Sequence, residues 1–396
     1  MTTPLSTEEV AELRAQTPGA ELVTHFNHAG SSLPPQQVLD AQIGHLEREA
    51  RTGGYEAAAD MAEEETAVYD SIARLIGGRP HEIARVEHAT TGWNAGFWSL
   101  PMESGQRIVT AEAAYGANAM GYLRAVQRKG VSIDVVPSDA SGQVDVAEME
   151  RRMGDDVALV AITHVPTNGG LVNPAAEVGA VAKAAGVPYL LDACQSVGQL
   201  HIDVHEIGCD LLSTTGRKYL RGPRGTGFLW ASENIIDRLE PDHPDHYSAH
   251  WDRPDGYTVA PNAQRFELWE YSHAGWLGLG AAADVALDIG TERIEATVRQ
   301  QADRFRAALA AAGGITMYDL GERPCGLITL NVDGVDATTV KTALRAQDIN
   351  VSVSEPHSTL WDATRRSLPE TVRASVHYLT TDDEIDRVVA ALVALR

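Results

Sequence analysis

Short, continuously apolar segments alternate with helical patterns through the middle of the chain, and they restrict its architecture more than any other feature. Residues 157–163 (VALVAIT) and 187–191 (VPYLL) carry no polar alternation, so each reads as a strand buried on both faces. Residues 210–213 add a third such strand, 107–110 and 132–136 read as further strands, and 227–230 as an antiparallel return. Helical patterns at 118–129 and 175–185 separate them. The alternation predicts an α/β fold with a mainly parallel sheet covered by helices. Further helices are expected at 36–51 and at 61–76, the latter closing on Gly77-Gly78, and at 274–287 and 293–311. Strands near 327–332 and 372–377 point to a separate, smaller α+β unit. These patterns give an N-terminal segment (1–25) packing on the small domain, a large domain (26–287) and a small C-terminal domain (288–396). Residues 243–261 are rich in Pro, Asp and His, lack periodicity, and read as a surface or interface loop.

Composition narrows the partners. With 396 residues and 44% hydrophobic content the chain can bury a large core. A net charge of −23 repels nucleic acid and anionic membrane, and no apolar run approaches the roughly 20 residues a membrane span needs. The polar, acidic first 20 residues are unlike a secretory signal. Cys194, Cys209 and Cys325 show neither a disulfide framework nor metal-ligand spacing, and the cytoplasm is the expected compartment. His243, His246 and His250 lie in the aperiodic loop without ligand spacing, so no metal is expected. Lysine is scarce: Lys129, Lys183, Lys218 and Lys341 are the only candidates for covalent amine chemistry.

In an open parallel sheet, ligands sit beyond the carboxyl ends of the strands. Three predicted strand ends present reactive groups there: Thr163-His164 leading to Thr167-Asn168, Asp192 followed by Gln195, and Thr215-Gly216-Arg217-Lys218. Thr90-Thr91-Gly92 stands just before a helical stretch at 93–99, and Tyr115 lies just after the 107–110 strand. An amine for an imine bond, a carboxylate for a ring nitrogen, a polar group for a phenolic oxygen and helix-start donors for a phosphate form the set that pyridoxal 5'-phosphate (PLP) requires. Lys218 suits the first role, Asp192 the second, Thr167 or Gln195 the third, and Thr90-Thr91 the fourth, with Tyr115 placed to stack on the ring.

FNHAGSSLPP (26–35), ATTG (89–92), AYGAN (114–118), HVPTNGGLVNP (164–174), LLDACQSVGQ (190–199), STTGRKYLRGPRGTGFL (213–229), RFELWE (265–270) and VRASVHYLTTDDEID (372–386) span nearly the whole chain. Together they resemble the class V aminotransferase family of fold type I PLP enzymes, which includes cysteine desulfurases, selenocysteine lyases and isopenicillin N epimerase-like proteins. The resemblance implies a seven-stranded sheet, a homodimer with shared active sites, and a small-molecule amino-acid substrate. It makes Lys218 the Schiff-base lysine and general base, and Asp192 the partner of the pyridinium nitrogen. It adds Thr90, Thr91, Thr167, Asn168, Gln195, Thr215 and Arg217 as cofactor contacts, and Tyr115 as the stacking residue where many relatives have histidine. It further implies that Arg373 binds the substrate carboxylate, that Ala29-Gly30 close over it, and that Tyr55 lies toward the substrate. One departure stands out: desulfurases carry a catalytic cysteine after the segment matching 350–355, which here reads NVSVSE. That departure, and the stretch GGYEAA (53–58), similar to members that cleave C–S bonds of bulky cysteine conjugates, favour β-elimination from an S-substituted cysteine. Transamination, oxidative deamination and epimerisation on the same scaffold are the alternatives.

Overall fold

The expected sheet is present, and its strand order places one edge for chemistry. The computed structural model describes residues 2–396; Met1, at the head of the expected N-terminal segment, lies outside them. In chain order the strands are β1 (Ile83–Val86), β2 (Arg107–Ala111), β3 (Ser132–Val136), β4 (Val157–Thr163), β5 (Tyr189–Asp192), β6 (Leu211–Thr215) and β7 (Gly227–Ala231). They lie side by side as β1-β7-β6-β5-β4-β2-β3. All run parallel except β7, which is antiparallel to both neighbours. Every residue of β4 through β7 is buried, as continuous apolar runs require.

Helices close both faces and end where the sequence stops them. The helix Ala62–Ile76 terminates on Gly77 at φ 71°, a left-handed cap that costs glycine little. Helix His273–Ile289 packs on both Gln36–Thr52 and Ala62–Ile76. Trp276, Leu277 and Leu279 of the first enter the main core with Val68 and Ile72 of the last.

A four-stranded antiparallel sheet, with β8 (Ile315–Met317), β9 (Leu327–Val332), β10 (Ser352–Ser354) and β11 (Thr371–Ser375) in the order β8-β9-β11-β10, forms the second layer system. The helix that crosses the expected boundary at 288 runs on to Ile289, and Gly290, at φ 91°, turns the chain into helix Thr291–Ala312. The N-terminal residues are tied to this half. Thr24 and His25 pair in parallel with Ile349 and Asn350, Leu5 N donates to Thr297 Oγ1 and Arg14 pairs with Glu384 at 2.9 Å. Phe26, the first residue assigned to the large domain, is buried in the small-domain core beside Phe305.

Two local expectations need correction, and one strand was not foreseen. Helix Ala89–Ser99 begins at Ala89, so Thr90 and Thr91 are in its first turn rather than before it, and His88 caps it by accepting from Thr91 N at 3.2 Å. Residues 243–261 are not without regular structure: Ala249–Arg253 and Gly256–Val259 form an exposed antiparallel hairpin around Pro254-Asp255. Strand β1 carries a buried arginine, Arg85, whose charge Glu267 meets at 3.0 Å.

Candidate active site

The carboxyl-end connections of β1, β2, β4, β5 and β6 open on one cavity of about 350 Å³. After β1 come His88, Ala89 and Thr90; after β2, Tyr115; after β4, Val165 and Thr167. Asp192 ends β5 and Cys194 and Gln195 follow it, Thr215 ends β6 with Arg217 and Lys218 after it, and Gly225 precedes the antiparallel β7. Residues 128 positions apart in sequence, such as Thr90 and Lys218, therefore meet because one sheet edge collects them.

The loops bearing Asp192 and Lys218 are pressed together. Gly198 sits at φ 91°, and a Cβ there would stand 2.3 Å from Leu220 N and 2.4 Å from the Tyr219 carbonyl carbon. Only glycine permits that contact and that dihedral. On the lysine side, Arg221 N donates to Lys218 O at 2.9 Å, closing a turn in which Arg221 itself takes φ 66°.

The electrostatics suit an imine-forming amine beside a fixed carboxylate. Burial strips water from the Lys218 ammonium and lowers its pKa, with Arg217 and Arg373 pushing the same way and the Asp192 carboxylate opposing. Asp192 is buried; Oδ2 accepts from Asn118 Nδ2 at 2.7 Å and Oδ1 from Cys194 N at 3.0 Å. Burial, reinforced by the Asp192 charge, drives the Cys194 thiol well above its usual range. Gln195 donates through Nε2 to Ala29 O at 3.1 Å, and its buried Oε1 has no partner among the described residues. Tyr115, 40% exposed, lines the cavity, and burial of its ring raises its hydroxyl pKa.

The loop 26–35, with Ala29 and Gly30, does not itself line the cavity but is bonded to two residues that do, Gln195 and Arg217. Arg217 Nη1 donates to Gly30 O, and Ala29 N to Ser375 Oγ at 2.9 Å. Arg373, on β11, stands behind Thr167: its guanidinium donates to Thr167 Oγ1 at 2.5 Å and to Ser352 Oγ at 3.1 Å. Burial lowers its pKa, and Arg217 adds like-charge repulsion. Two guanidinium groups close enough to repel favour an anion between them.

Not every expected residue reaches the cavity. Tyr55 is on the short helix Gly54–Asp60, 78% exposed, and does not line it. Asn168 turns toward the small domain, donating to Thr359 Oγ1 at 2.9 Å and accepting from Ser354 Oγ, so both ends of its amide are engaged there. Thr91 borders a separate small cavity with Arg85, Glu270 and Tyr271. Thr215 lines the main cavity, but its hydroxyl donates to Thr226 O at 3.2 Å. Two contributors had no assigned role: Asn118, inside the AYGAN stretch, and His88, directly before the ATTG stretch. A polar residue one turn into a helix beside a strand-end acid was the available signal for the first.

The residues present fit PLP. The helix start at His88–Thr90 offers backbone N–H groups with no intrahelical partner, the normal seat of a phosphate. Lys218, Asp192 and the orphaned Gln195 Oε1 supply the amine, the carboxylate and an unused polar atom.

Comparison with known proteins agrees with this geometry. The family model for aminotransferase class V matches residues 24–388. A probable cysteine desulfurase of Methanothermobacter thermautotrophicus is 30% identical over 320 residues, 80% of each chain. A cysteine desulfurase of Serratia proteamaculans is 28% identical over 96% of this chain and 95% of its own. Among solved structures, the apo cysteine desulfurase of Thermococcus onnurineus superposes with a TM-score of 0.90 at 23% identity, covering 100% of this chain and 99% of its own. The cystine C–S lyase C-DES, in complex with its product cysteine persulfide, gives 0.86 at 22% identity over 96% of this chain and 99% of its own. At those identities the two structures speak for the fold.

Proposed function

The chain belongs to the class V aminotransferase family, and from that premise we propose that it is a lyase cleaving the Cβ–S bond of an S-substituted cysteine. With water, the products are a thiol, pyruvate and ammonia. The chain is a PLP-dependent enzyme acting on an amino acid, and bound PLP supplies an electron-withdrawing ring that spreads the charge left when a bond at Cα breaks. Lys218 Nζ, biased toward the neutral amine by burial, takes the proton from Cα. Asp192, steadied by Asn118, holds the ring nitrogen protonated. Arg373 and the Ala29-Gly30 loop would orient the substrate carboxylate, and Tyr115 would stack on the ring. Thr90 and the helix start, with Arg217, would hold the phosphate.

The observation that carries elimination over desulfuration is the state of the thiols. A persulfide relay needs an accessible thiolate. Cys194 is held as the thiol beside Asp192, burial pushes Cys325 up to about 11, and buried Cys209 is raised further. In the segment 350–355, Ser352 and Ser354 spend their hydroxyls on Arg373 and Asn168. Sulfur therefore leaves still carrying its substituent.

We also propose a homodimer that shares its sites. Glu270 lines the small cavity that Thr91 borders, and its neighbour Trp269 is 54% exposed, available for contact with a second copy. Free thiols at positions 194, 209 and 325 suit a reducing compartment such as the cytoplasm.

The test is an assay of pyruvate and free thiol from S-substituted cysteines, beside one for protein-bound persulfide and alanine from cysteine. Equimolar pyruvate and thiol without persulfide is the expected result. Alanine with persulfide on the protein would replace the proposal with desulfuration, and a keto acid with the cofactor left in its amine form would replace it with transamination.

A further inference from the structure

A second cluster of side chains lies on helices remote in sequence from the cofactor loops. His45 on helix Gln36–Thr52, Glu65 on Ala62–Ile76 and His273 at the start of His273–Ile289 each bring one ligand-type atom within 4.8 Å of the others. His273 Nδ1 lies 2.6 Å from Glu65 Oε1, and Glu65 Oε2 accepts from the Tyr271 hydroxyl at 2.5 Å. The two imidazole rings face one another with centroids 5.8 Å apart and planes 18° from parallel.

His45 is the anomaly in this cluster. Its side chain is 0% exposed, yet neither ring nitrogen makes a hydrogen bond among the described residues. Glu49 Oε1 approaches Nε2 at 3.1 Å, but outside hydrogen-bonding geometry. Buried imidazole nitrogens are ordinarily satisfied, and here the groups they face are another imidazole and a carboxylate.

We infer that His45, Glu65 and His273 form a binding site for a divalent transition-metal ion of the zinc class. Two imidazoles and one carboxylate form a three-ligand zinc set, and nitrogen donors disfavour magnesium and calcium. Bonds of about 2.0 Å in a tetrahedral arrangement place ligand atoms about 3.3 Å apart. The His273–Glu65 pair must open from 2.6 Å to admit the ion, and the widest separation, within 4.8 Å, must close. Both are side-chain adjustments. The Tyr271 hydroxyl on Glu65 fixes the carboxylate from behind, as outer partners of metal ligands do.

The surroundings favour a cation. His45 also borders a cavity of about 450 Å³ with Asp40, Glu64 and Asp284, so carboxylates surround its side of the cluster. Arg48, also in that lining, lies 3.4 Å from Asp60. An ion here would tie together three helices, one of which leads back through Tyr271 to Arg85.

The test uses the PLP-loaded full chain, stripped of metal with a chelator, then titrated with Zn²⁺ by calorimetry and with Co²⁺ by visible absorption. One saturable site per chain with micromolar or tighter affinity is expected, with a raised thermal midpoint. His273→Ala and Glu65→Gln should each weaken binding on the order of a hundredfold. A variant with His243, His246 and His250 all changed to alanine should bind as wild type. Should His45→Ala fail to fold, His273→Ala at the part-exposed helix start carries the test. Absence of saturable binding, or stoichiometric binding untouched by His273→Ala and Glu65→Gln, overturns the site.

Discussion

Asn118 Nδ2 donates to Asp192 Oδ2 at 2.7 Å, linking the first turns of a helix after β2 to the carboxyl end of β5. Both residues are buried, so this bond to a charged acceptor contributes about 1.5–3 kcal/mol. Asn118→Ala leaves Cys194 N as the remaining donor to the carboxylate. Turnover should fall about tenfold to a hundredfold, with weaker cofactor retention and an unchanged fold. Steady-state kinetics and a PLP titration of the variant measure both, and a fully active Asn118→Ala enzyme would remove Asn118 from the site.

Lys218 and Arg373 should separate cleanly by spectrum. Lys218→Ala is expected to abolish both turnover and the visible band of lysine-bound cofactor. Arg373→Ala should keep the band and raise KM for the amino acid by at least about tenfold, since a bidentate, charge-assisted contact is lost. Arg373→Lys should not restore it, because a lysine cannot reproduce the planar fork now donating to Thr167 and Ser352. Absorbance scans with and without substrate read each outcome.

The uninterrupted apolar runs made β4 to β6 legible, and their order carried Asp192 and Lys218 to one edge without any contact information. Strand β1 was hidden because Arg85 sits in its middle, and only the partner Glu267, 182 residues away, makes that burial tolerable. The hairpin at Ala249–Arg253 and Gly256–Val259 carried a Pro-Asp-Gly turn signal, masked by polar, exposed strands. Motif position located Asn168 and Tyr55 in the chain but not the direction of their side chains. Small-domain hydroxyls claim the first and a short surface helix carries the second outward. The His45–Glu65–His273 cluster has no spacing signature at all, because its members come from three helices.

His164 sets a pH dependence. It is buried at the end of β4, its Nδ1 has no partner among the described residues, and burial lowers its pKa to about 4 from 6.5. The unfolded chain therefore binds the extra proton first as pH falls. Stability from this group is complete above pH 6.5 and is lost as pH falls toward 4. The loss is about 3 kcal/mol at full extent. Denaturant unfolding of wild type and His164→Gln across that window should show the wild type losing stability more steeply on acidification. Parallel profiles would assign the acid sensitivity elsewhere, with the buried pair His28 and His377, also lowered by burial, the next groups to change.

Arg221 holds the turn that follows Lys218, and does so from an unfavourable backbone geometry. It is 2% exposed at φ 66°. Its guanidinium donates to Leu33 O at 2.9 Å, to the Tyr378 hydroxyl at 2.7 Å and to Thr17 Oγ1 at 2.5 Å. One side chain thus ties the N-terminal segment, the 26–35 loop and the small domain to the Lys218 turn. A non-glycine residue in the left-handed region costs roughly 1–2 kcal/mol, which the three bonds offset. Arg221→Ala keeps that cost and loses the bonds, so a destabilisation of about 3 kcal/mol is expected. Arg221→Gly loses the same bonds but relieves the backbone, and should be about 1 kcal/mol more stable than the alanine variant. Chemical denaturation of the two variants side by side decides it. An alanine variant equal to or more stable than the glycine variant would mean that the turn relaxes out of the left-handed region once the guanidinium is gone.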